Sequence, residues 1–167
     1  MSVDSSASYE IIDEPKRSLA ARLVVDPLWP LLAVMFGGAL ISWAWFIYNS
    51  IALGSPRKRY EIGLLILAYI VFVMLVLLAA AALHFEWLSV SDLRYARLAL
   101  TVVTLYVCYM VYLSQAQAFA LFHYFSGQAM TGIPGLFLAY FIGRRLESVV
   151  IDSLINFGKH FLSQWYG

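Results

Sequence analysis

From Ile62 to Leu83 the chain carries no charged residue, and Tyr69 supplies the only hydroxyl. At about 1.5 Å of rise per residue, a helix of that length crosses the roughly 30 Å hydrocarbon layer of a bilayer. A helix apolar on every side has no solvent-facing stripe, so it belongs in lipid or deep inside a large protein. The second option fails on size. The 167 residues are 62% hydrophobic and 13% charged, against about half and a quarter in ordinary soluble domains. A domain of this length buries only about 70% of its unfolded surface.

The expected fold is therefore an all-α integral membrane protein with three to four transmembrane helices and an amphipathic C-terminal helix. Residues 1–25 read as a polar N-terminal tail with an interfacial helix over Arg17 to Val25, 26–143 as the transmembrane helical domain, and 144–167 as the C-terminal helix. The first residues are acidic and polar and lack the basic-then-apolar order of a secretory leader. The first apolar run is thus expected to act as an uncleaved anchor. Membrane lipid is the expected surrounding, and the bacterial inner membrane the expected location.

Start and stop signals bound the other spans. Asp26 and Pro27 suit the opening of a helix from Leu28 to Ile51, expected to cross the membrane as the first span. Gly54-Ser55-Pro56 predicts a tight antiparallel turn into the run at Ile62. A third span is expected from Leu98 to about Leu113, more polar because of its tyrosines and threonines. From Ser114 to Gly143 two architectures fit. A fourth span crosses with an interrupted middle, or the third helix continues beyond the membrane and the Gly-Pro stretch at Gly132, Pro134 and Gly135 turns a short segment back. Basic residues give conflicting sidedness. Four crossings would set Arg57, Lys58 and Arg59 against the cations of the N-tail, the second loop and the C-tail.

Chemistry-bearing residues are sparse. His84, His123 and His160 form no pair at helical metal-ligand spacing, so no metal and no cofactor is expected. Ser126 follows His123 by three residues without a carboxylate or a nucleophile elbow, so no catalytic residue is assigned. Net charge is +1, without the basic face that nucleic acid requires. Cys108 is a lone thiol in an apolar run, expected as a small buried hydrophobe.

Two candidate regions remain. Gln115, His123, Ser126 and Gln128 lie in the polar stretch and are the binding or pathway candidates. If they form a site, His123 and Gln128 should be sheltered and hydrogen-bonded, because unmatched polar groups at membrane depth are costly. Leu146, Val150, Leu154, Phe157 and Phe161 recur at helical spacing and are expected to form a partner surface. The function expected is that of a non-catalytic accessory or structural subunit, packed against another integral membrane protein or a second copy. A small transporter or channel using 115–135 is the alternative, and a membrane-embedded enzyme the third possibility.

Overall fold

The computed structural model describes residues 23–87, 89, 91–125 and 128–166, so the expected tail and interfacial helix fall almost wholly outside the described residues. Six α-helices follow in order: α1 Leu28–Gly37, α2 Ala39–Ala52, α3 Lys58–His84, α4 Leu93–Tyr124, α5 Ile133–Leu138 and α6 Arg144–Tyr166. A π-helical turn, Ala139–Gly143, joins the last two. Among the described residues there is no strand, only an isolated bridge between Val25 and Met130.

The expected first span is corrected. Asp26 does open α1, its carboxylate accepting the Leu28 amide at 2.9 Å. The helix stops after Gly37, because Gly38 takes φ 87°, which glycine adopts without the steric cost other residues meet. The chain then doubles back. Val25, just before α1, donates its amide to Asn49 Oδ1, near the end of α2, at 3.2 Å. In a straight helix those residues would stand about 36 Å apart. The apolar run at 28–51 is thus a hairpin of two short arms, neither long enough to cross a membrane. Apolarity could not reveal this, because both arms bury against the rest of the bundle.

The turn at Gly54 forms as expected. Gly54 has φ 60°, and Ser55 returns its amide to Ser50 O at 3.2 Å, setting α3 antiparallel to α2. Trp43 of α2 meets Tyr69 and Phe72 of α3 edge-on at 6.0 and 5.6 Å. With Phe46, Leu65, Val76, Cys108 and Val111 these side chains form the core, and Cys108 is fully buried.

Among the described residues, α3 and α4 are the two helices long and apolar enough to cross a membrane. Only 17% of the most apolar stretch of each is buried within the protein. A core helix of a soluble domain would be largely covered; here the uncovered remainder is apolar. In the Ser89–Asp92 turn before α4, Ser89 gives both its amide and its hydroxyl to Asp92 Oδ2, which holds that carboxyl below its ordinary range. α4 runs through Ser114 and Gln115 without a break, as the second architecture requires. Beyond the Gly-Pro stretch α5, the π turn and α6 follow one another directly, and the chain stays helical across the boundary at 143–144.

α5 and the π turn pack on α1. A Cβ at Gly143 would strike the carbonyl oxygen of Gly37, and one at Gly37 would strike Ala139. This backbone-to-backbone crossing explains both glycines. α6 then descends along α3, with Gly158 against Ala80 and Leu77. Its inward face carries Ile151, Leu154 and Ile155. Of the expected stripe only Leu154 packs there, while Leu146, Phe157 and Phe161 are exposed and Val150 is half-buried. The helix thus docks on its own chain through Ile151, Leu154 and Ile155, and leaves Leu146, Phe157 and Phe161 uncovered.

Candidate functional site at the hairpin apex

Gln115 and the other expected site residues do not come together. Gln115 is fully buried, whereas His123 and Gln128 are exposed and Ser126 lies outside the described residues. His123 sits near the end of α4, tilted against Phe119 at 6.4 Å. The stretch after α4 is tied to the chain before α1 by the Met130 amide, which donates to Val24 O at 2.7 Å. The shelter that a site would require is not found at His123, in the last turn of α4, or at Gln128, beyond that helix.

What surrounds Gln115 is a buried polar cluster. Its Nε2 donates to Phe46 O at 2.9 Å and to Ser50 Oγ at 2.6 Å, and its Oε1 accepts from Asn49 Nδ2 at 3.1 Å. Ser50 passes its own proton to Glu61 Oε2 at 2.5 Å. Ser55 and Ser114 donate to Glu61 Oε1 at 2.8 and 2.7 Å. Glu61 is 0% exposed. Sequence reasoning missed it because Glu61 adjoins Arg57, Lys58 and Arg59, where charge reads as headgroup-facing. A hint existed in Ser50 and Ser55, small hydroxyls flanking a tight turn within reach of the first turn of α3. Each carboxyl oxygen is matched by a hydroxyl donor, so the cluster ties α2, α3 and α4 together as a closed network.

The opposite is true beneath the hairpin. Ala139, Gly143 and Glu147 follow one another at four-residue steps, so the surface that presses the glycine crossing on α1 also carries Glu147 inward. Glu147 Oε2 accepts the Ala39 amide at 2.9 Å, capping α2 at the hairpin apex. Ser42 returns its hydroxyl to Gly38 O at 2.8 Å. Below the apex opens a cleft of about 440 Å³, lined by Gly38, Phe72, Arg97, Thr104, Arg144 and Glu147 among others. Arg97 and Arg144 lie within electrostatic reach of Glu147, yet neither forms an ion pair with a described residue. Thr104 is only 6% exposed, and its hydroxyl makes no hydrogen bond to any described residue. Two guanidinium groups, an unmatched hydroxyl and one engaged carboxylate leave the cleft with a net charge of one positive and spare donors. That is donor chemistry suited to an anion.

Among the described residues no group of histidine, cysteine, aspartate or glutamate is placed to hold a metal ion. No protein-family model matches the chain, and comparison with curated proteins and with solved structures returned no match.

Proposed function

We propose that the chain is a non-catalytic, multi-pass integral membrane protein that holds an anionic ligand in the cleft under the hairpin apex. The carrying observation is the pair Arg97 and Arg144, which line one cleft with Thr104 and form no ion pair with a described residue. α3 and α4 cross the bilayer, α6 runs alongside α3, and the α1–α2 hairpin enters to half depth. Non-crossing backbone at depth is tolerated where protein covers it or a cavity wets it, and both conditions hold at Gly38. Half-helices meeting near the midplane are a recurring way to build solute sites, which favours the transporter class over the accessory subunit and moves the expected pathway from 115–135 to the apex. In a bacterium the inner membrane is the fitting location, since outer-membrane proteins are built as barrels.

The test is titration of the purified chain in mild detergent with phosphate, sulfate and acetate, read by calorimetry. Saturable binding that Arg97→Gln and Arg144→Gln each weaken about tenfold supports the proposal. Heats identical for the wild type and both variants would remove it.

The accessory-subunit proposal retains one specific support. Phe137 and Phe141 stack at 6.5 Å on the outside of the long helix and are 60% and 64% exposed. Aromatic side chains of this kind anchor protein contacts as well as lipid ones. Stoichiometric co-purification of a second membrane protein, lost in Phe137→Ala, would establish it.

A further inference from the structure

The cationic cleft does not stand alone. A second, wholly apolar groove of about 150 Å³ runs between α3 and α4, lined on one side by Leu67, Val71 and Leu75 and on the other by Val103 and Val107. The two cavities share Phe72, Leu100 and Thr104 in their walls. Their arrangement along α4 is polar first and apolar after. Arg97 stands at the cleft, Leu100 and Thr104 border both spaces, and Val107 lies about 15 Å up the helix axis from Arg97. A small inorganic anion would use only the first of these features.

We propose that cleft and groove form one site for an anionic phosphodiester lipid, the phosphate held by Arg97, Arg144 and Thr104 and an acyl chain laid between α3 and α4. The inference rests on the anion-binding function proposed above and specifies its ligand. Charge supports a phosphodiester. Two arginines less the Glu147 carboxylate leave one positive charge, which one phosphodiester neutralises. Guanidinium forks match phosphate oxygens in pairs. Thr104 supplies a hydroxyl donor at the junction, where the phosphate gives way to the chain. The cleft reaches from the apex to Arg97, near the start of α4, so the phosphate lies toward that end of the bundle and the groove continues along the axis in the direction of a lipid tail. Val103 is 48% exposed, so a chain can enter from the surrounding bilayer without passing through the core.

The experiment uses the full chain in mild non-ionic detergent, titrated separately with dioleoyl phosphatidylglycerol, dioleoylglycerol and inorganic phosphate. Bound copies are counted by native mass spectrometry, and inorganic phosphate is followed by calorimetry. One phosphatidylglycerol is expected to bind at least tenfold more tightly than either other probe. Arg97→Gln and Arg144→Gln should each weaken it about tenfold, with unfolding temperatures unchanged. Val107→Asn should weaken the lipid and leave inorganic phosphate as it was. If phosphate binds as tightly as the lipid, and the arginine variants weaken both, the anion site stands and the lipid proposal falls. If the diacylglycerol binds as well as phosphatidylglycerol in wild type and Arg97→Gln alike, both proposals fall.

Discussion

Glu147 reaches back 108 positions along the chain to accept the Ala39 amide at 2.9 Å. The carboxylate satisfies the first free donor of α2, and it can do so only because Gly38 has no side chain where that carboxylate lies. A charge-assisted bond of this kind contributes about 1.5–3 kcal/mol.

Replacing Glu147 by Ala should accordingly destabilise the bundle by about 2 kcal/mol, read as a lowered unfolding temperature in detergent. Ser148→Ala, one position away, should cost less than about 0.5 kcal/mol, since its hydroxyl bonds only to Arg145 O on its own helix. Equal losses at both positions would show that the cap contributes nothing.

The buried cluster should behave as one unit. Gln115→Leu strands Asn49, Ser50 and the Phe46 carbonyl, a cost of about 2–4 kcal/mol. Ser50→Ala removes the link between Gln115 and Glu61. Because the two changes share partners, the double variant should lose at least about 0.5 kcal/mol less than the sum of the single ones. Additive losses in a double-mutant cycle would break the network into independent bonds.

Glycines should separate by what faces them. Gly143→Ala drives a methyl group into the Gly37 carbonyl and should cost about 1–3 kcal/mol as the helices part. Gly63, in the interior of α3, has nothing within 4 Å of a would-be Cβ, so Gly63→Ala should stabilise by about 0.5–1 kcal/mol. Thermal unfolding shifts of the same sign at the two positions would contradict the crossing.

The hairpin makes a topological prediction. In a Cys108→Ala background, cysteines placed at Leu23 and Pro56 should react with an impermeant thiol reagent from the same side of oriented vesicles, and one at Glu86 from the other. A straight first span would put Leu23 and Pro56 on opposite sides. The hairpin also gathers Leu23 with Arg57, Lys58 and Arg59 at one end of the bundle, and leaves Arg94 and Arg97 at the other, where Glu86 lies.

Helices and their limits were largely legible. The uncharged run at Ile62, the Asp26 cap and the Gly54 turn are local signals, and each appears where local chemistry places it. The hairpin was not legible, because Gly37-Gly38-Ala39 also suits helix contact in an unbroken span, and only the distant carboxylate of Glu147 decides between the two. Glu61 and Glu147 were discounted for the same reason: a charge beside an apolar run reads as solvated until its partners are known. Gln115 alone among the expected site residues lies in the bundle interior, and it serves a closed network. The inward face of α6 was not legible, since counting apolar positions excludes Glu147 from the face on which it lies.

The hairpin is walled by a part of the chain made long after it. Gly37 rests on Ala139 and Gly143, and Ala39 is capped by Glu147, so during synthesis the first apolar segment emerges about a hundred residues before its seat exists. Until then the Ala39 amide has no native acceptor, and arms this short are poorly held in hydrocarbon by themselves. In the membrane protein proposed above, insertion and final folding are therefore separate events, and a ribosome halted before Ala139 would leave α3 in the bilayer with the hairpin still unseated.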